Sequence, residues 1–111
     1  MAIAATRLGC TTALISAVGA DRVGDYLLGE LARYGVGASH VSRVASLKTP
    51  IVLAELNPPE DPHLEFYREP SAPDMQIEAA GLPWELIKQA GLLWVTGTGL
   101  SAEPSRSATI A

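Results

Sequence analysis

Phe66 and Arg68 are the residues whose types and spacing could do chemistry. They stand two apart in the run His63-Leu64-Glu65-Phe66-Tyr67-Arg68-Glu69. In an extended strand the period of two places them on one face with Leu64, and places His63, Glu65, Tyr67 and Glu69 on the other. An aromatic ring beside a guanidinium suits a polar, anionic small molecule: the ring shields one side while the planar fork donates paired hydrogen bonds to a carboxylate. The plainer alternative is an edge hairpin with a solvated arginine, and spacing alone favours it, because surface arginines are common and mostly exposed.

The elements that must position this pair read as an α/β body carrying an excursion. Residues 49–72 form the excursion, a hairpin of TPIVLAEL and HLEFYRE joined by the loop Asn57-Pro58-Pro59-Glu60-Asp61-Pro62. Before it, residues 1–8 read as a short apolar helix ending at Gly9. The unalternating run Ala13 to Val18 reads as a strand buried on both faces, as parallel strands covered by helices are. Asp21 is a candidate N-cap for a helix running to Arg33 or Tyr34, with Val23, Leu27, Leu31 and Tyr34 on its apolar side. Gly35 then supplies a left-handed residue that lets Val36 fold back on Leu31. The stretch from His40 to Val44 alternates enough to be a short strand leading into the hairpin.

Beyond the hairpin, residues 73–81 read as a connector. Pro83 takes the first helical position of a helix over residues 83–90, stopped by Gly91. Residues 92–96 read as the second buried strand. The turn Gly97-Thr98-Gly99-Leu100-Ser101 follows it and leads to a helix starting near Pro104. Ligands of open α/β sheets gather at such strand ends. Yet this turn is neither a dinucleotide fingerprint nor a P-loop, and its glycines more often serve backbone geometry.

Composition narrows the classes. A net charge of -4 with scattered Lys and Arg leaves no electrostatic footprint for nucleic acid or an anionic membrane surface. One cysteine, Cys10, excludes an internal disulfide, fits a reducing cytoplasm and reads as a small core residue. Two histidines leave no His/Cys metal cluster. The amino end imitates a signal peptide only loosely, because Arg7, Thr11 and Thr12 interrupt its apolar run.

Taken in order, TRLG, LISAVG, GADRVGDYLLGELARYGV, TPIVLAEL, FYREPSAPD and LLWVTGTGLSAEPSR resemble the first half of ribokinase-like (PfkB-type) carbohydrate kinases, over the whole of residues 1–111. Within that family the Asn-Pro-Pro loop, FYREPSAPD and WVTGTGLSAEPSR resemble the 5-dehydro-2-deoxygluconokinases of myo-inositol breakdown, with 2-keto-3-deoxygluconate kinases and other sugar kinases as alternatives. The resemblance implies a mostly parallel sheet flanked by helices, with residues 49–72 as a protruding lid. It also implies ATP- and Mg-dependent phosphoryl transfer to a hydroxyl of a sugar acid, and it places Phe66 and Arg68 as the lid residues that touch the acid. Relatives often carry tyrosine at the position of Phe66, so any hydroxyl contact made there is lost.

The family's first strand, with a sugar-binding Asp and a Gly-Gly-x-x-x-Asn motif, aligns before Met1. Its Gly-Ala-Gly-Asp motif, which carries the general base, aligns after Ala111. The chain is therefore expected to be a fragment, roughly a third of a domain larger than an ordinary one, inactive by itself, with no catalytic or nucleotide-binding residue to assign. The alternative of another class is a non-catalytic association module, in which the hairpin edges pair with a second copy across a two-fold axis.

Overall fold

Two glycines with positive φ, Gly9 at 92° and Gly35 at 74°, end the first two helices. Helix α1 (Ala2–Arg7) closes with Gly9 N–H donating to the Thr6 carbonyl at 2.9 Å and Cys10 N–H to that of Ala5 at 3.1 Å. This closure carries Cys10 to the surface, where it is exposed rather than part of the core. Helix α2 (Arg22–Arg33) closes in the same way, with Val36 N–H on the Leu31 carbonyl at 2.9 Å, as the Gly35-Val36 pair predicts. The computed structural model describes residues 1–57 and 61–111. Residues 58–60, within the predicted hairpin loop, lie outside them.

Strand β1 (Ala13–Gly19) pairs in parallel with β2 (Gly37–Val44), and α2 is the crossover between them. The parallel partner is thus the alternating segment after α2 and not residues 92–96, which form no ladder. Leu92 is 81% and Trp94 62% exposed. An apolar run becomes a strand only where another strand offers its backbone groups, and none of the described residues does so here. Burial of β1 is likewise one-ended: only Ala17, Val18 and Gly19 are buried. Pro83 precedes α3 (Trp84–Gln89) as its cap instead of occupying its first position.

The hairpin, β3 (Ile51–Glu55) with β4 (His63–Tyr67), forms a separate antiparallel sheet. After it the chain returns to the body, where the 3-10 turn Pro73–Gln76 packs against β1. Ala17, Val18, Val36, Ala72, Pro73, Met75 and Ala108 are the buried apolar residues. The last helix, α4 (Ser105–Ile110), contributes Ala108. Among the described residues no helix is long and apolar enough to cross a membrane.

One carboxylate fastens the hairpin to the body. Asp21 caps α2 by accepting from Gly24 N–H at 2.9 Å, and it also accepts from Thr49 N–H and the Thr49 hydroxyl, each at 2.8 Å. The Thr49 oxygen in turn accepts from Gly19 N–H at 2.9 Å. The three segments approach so closely that a Cβ on Gly19 would stand 2.6 Å from Thr49 N and 2.7 Å from the Leu47 carbonyl oxygen. No side chain fits there.

Thr49 is buried, and its hydroxyl oxygen accepts from the buried Gly19 N–H. Thr49→Val should therefore destabilise the chain by about 1–3 kcal/mol, the cost of an orphaned buried donor, as read by urea denaturation; a loss below about 0.5 kcal/mol would contradict the clasp.

The backbone N–H of Thr49, then that of Gly24, then the Thr49 hydroxyl hold the Asp21 carboxyl at about 2, below its ordinary 3.8. A depressed carboxyl stabilises the fold above its unfolded value and loses that contribution as pH falls through the folded one. The decline should fall between about pH 4 and pH 2, and Asp21→Asn should remove it from the acid limb of the denaturation curve.

Candidate functional site

Directly opposed residues of an antiparallel pair share a face. The register Val52↔Phe66 and Ala54↔Leu64 therefore makes one face of the hairpin wholly apolar. The other carries Ile51, Leu53, Glu55, His63, Glu65 and Tyr67, and there His63 Nε2 lies 3.7 Å from Glu65 Oε2. Both strands are exposed throughout. A two-stranded ribbon has little stability of its own, and the apolar face of this one stands open.

Arg68 lies one residue beyond the last ladder pair. Its guanidinium bends back to the body and meets Asp74, in the turn that packs on β1. Nη2 donates to Oδ1 at 3.0 Å and to Oδ2 at 2.8 Å. Nε and Nη1 have no protein acceptor among the described residues. Arg68 and Asp74 line a cavity of about 330 Å³ together with Thr49, Val52, Ser16 and Glu30, with apolar walls from β1 and α2. Phe66 shares a face with Val52 but lines a second space of about 320 Å³, beside Lys48, Ile51, Tyr67 and Glu69. The two residues singled out by spacing thus share the hairpin without sharing a cavity.

Asp74 escaped the spacing argument. It stands six positions after Arg68, and Pro70 and Pro73 lie between them, so neither strand nor helix periodicity relates the two. Only the return of the chain to β1 does.

In the turn after residue 96 neither glycine has a positive φ, and only Gly99 is closely approached by other atoms. Residues Gly97–Leu100 form a 3-10 turn, and the Gly99 carbonyl accepts from the Ser105 hydroxyl at 2.9 Å. A Cβ on Gly99 would stand 2.9 Å from Thr109 Oγ1, so the turn is closed against α4. It leaves no open cradle for a phosphate. Among the described residues no group of three or more His, Cys, Asp or Glu could hold a metal ion. No described residue is assigned to ATP or Mg²⁺, and no chemical step is routed through either.

The profile described as pfkB family carbohydrate kinase matches residues 1–111. The chain is 32% identical over 109 residues to a 5-dehydro-2-deoxygluconokinase of Geobacillus thermodenitrificans, covering 97% of this chain and 32% of that protein. It is 37% identical over 108 residues to fructokinase-1 of Oryza sativa subsp. japonica, covering 97% and 33%. Among solved structures, an uncharacterized sugar kinase from Pyrococcus horikoshii in complex with ATP superposes with a TM-score of 0.87 at 26% identity, over 98% of this chain and 35% of that one. The chain spans about a third of the length of the curated relatives it matches.

The Arg68 and Asp74 side chains are 30% and 28% exposed. At that exposure an ion pair contributes no more than about 1 kcal/mol and weakens with salt. Asp74→Ala should accordingly cost about 1 kcal/mol or less in urea denaturation, less at high ionic strength. A loss of 2 kcal/mol or more would make the pair a structural clamp.

Proposed function

The chain belongs to the pfkB family of carbohydrate kinases along its whole length, and on that premise we propose that it supplies the sugar-side wall and the lid of an ATP-dependent sugar kinase. Residues 49–72 cover the sugar, with the apolar face of Val52, Leu64 and Phe66 turned towards it and Arg68 on its oxygen atoms. The observation that carries this reading is Arg68: Asp74 anchors Nη2, which leaves Nε and Nη1 to donate into the cavity. An oxygen-rich ligand needs such donors.

Two classes of sugar suit this wall. A sugar acid of the 5-dehydro-2-deoxygluconate type is the class implied by the motifs in Asn57-to-Asp74, and relatives bearing that name match at 32% identity. A neutral ketohexose is the second, supported by fructokinases that match at 34% and 37%. The cytoplasmic setting expected from a single cysteine belongs to the same proposal.

In a full-length kinase carrying this segment, Arg68→Ala should raise KM for the sugar by at least tenfold, about 1.4 kcal/mol, with kcat less affected. Such a pattern marks a contact made in the ground state as much as in the transition state. Arg68→Lys should recover only part, since an ammonium lacks the planar fork. Glu65→Ala, on the opposite face, is the control. An Arg68→Ala enzyme with KM unchanged within threefold for every sugar it phosphorylates would return Arg68 to the solvated edge.

A further inference from the structure

We infer that Asp74 sets the charge preference of the sugar site, and that with Arg68 it selects a neutral polyhydroxy sugar over a sugar acid. The inference rests on the proposal that Arg68 faces the sugar.

The charged liners of the cavity are Glu30, Arg68 and Asp74. Glu30 is taken by Arg33, whose Nε and Nη2 donate to it at 3.0 and 2.6 Å from the exposed side of α2. Arg68, the single cation lining the cavity among the described residues, is neutralised by Asp74 at 2.8 Å. Among the described residues that line the cavity, an anionic ligand meets no uncompensated positive charge. It meets a dipole whose negative end is a carboxylate, so the cost of desolvating its own charge is poorly offset.

Hydrogen-bond matching points the same way. A carboxylate ligand offers acceptors only, and the end of Arg68 that would grip it in a fork needs Nη2, which already serves both oxygens of Asp74. A hydroxyl is donor and acceptor at once. One hydroxyl or keto oxygen can accept from Nη1 or Nε while a neighbouring hydroxyl donates to a free lone pair of Asp74. The pair therefore presents the complementary donor and acceptor that a vicinal diol or a hydroxyketone requires, and it presents them pre-oriented, because each partner holds the other's rotamer.

The modest stability of an ion pair exposed to this degree leaves Asp74 free to serve selection, and it makes a clean substitution feasible.

The test compares kcat/KM for D-fructose and for 5-dehydro-2-deoxy-D-gluconate in the full-length kinase carrying this segment. The wild type should favour fructose. Asp74→Asn, which keeps the shape and removes the charge, should raise the acid-to-neutral ratio of kcat/KM at least fivefold, with KM for the acid falling. Asp74→Glu should keep the ratio near the wild-type value. A loss of folded enzyme would lower both substrates alike and leave the ratio untouched, so the ratio separates selection from stability. A wild-type preference for the acid, or a shift below fivefold in Asp74→Asn, would overturn the inference. Should Arg68→Ala also leave both KM values unchanged, the failure lies with the placement of Arg68 in the site. Should Arg68→Ala weaken both sugars while Asp74→Asn leaves the ratio alone, only the role of Asp74 falls.

Discussion

The carboxylate of Asp21 is the interaction on which the rest of this structure depends. It accepts three hydrogen bonds, one from the helix it caps and two from Thr49, thirty residues beyond the strand end that Thr49 itself binds. The glycines at 19 and 24 stand where a side chain would drive these segments apart. A charge-assisted cap is stronger than a neutral one, and here it does two jobs with one group. It starts α2, and it fixes where the hairpin leaves the body.

That fixed departure gives the hairpin a direction. Its ladder holds ten residues, none of them buried, so the ribbon cannot locate itself by packing. It is located at both roots instead. Thr49 holds the outgoing strand, and on the return Arg68 meets Asp74, just before Met75 goes into the core. An apolar face pinned at two roots and open between them is what the proposed lid role calls for: a base held in position and a length left uncovered. The two pins differ in character. The Asp21 clasp joins buried backbone and a buried hydroxyl, whereas the Arg68 pair is a third exposed and borders a cavity. The first is a matter of fold and the second is available for recognition.

Much of this was legible in the sequence, for local reasons. The cap at Asp21, the closure at Gly35-Val36, the end of α1 at Gly9, and the hairpin with its two faces all follow from residue types within a few positions of one another. Helix caps and strand alternation are decided by neighbours in the chain. The apolar run Leu92 to Thr96 read equally well as a strand, and the expectation failed because periodicity reports the face a segment can bury and not whether another strand is present to pair with it. The parallel partner of β1 was instead Gly37 to Val44, whose weaker alternation gave less signal. Cys10 was misplaced for a related reason: thiols are usually buried, but a residue that follows a left-handed glycine is set by the turn it completes.

The sequence by itself therefore determined most of the elements, the α/β character, the family, and the apolar face of the hairpin that carries Phe66. Tertiary structure alone decided three things. It joined Asp21 to Thr49, it parted Phe66 and Arg68 into two cavities, and it brought Asp74 to the guanidinium. The physical reason is common to all three. Hydrogen bonds and ion pairs between distant residues depend on where the chain returns, and for Asp74 that return is marked by the burial of Ala72, Pro73 and Met75 beside β1, a property of the packed core that no local spacing encodes.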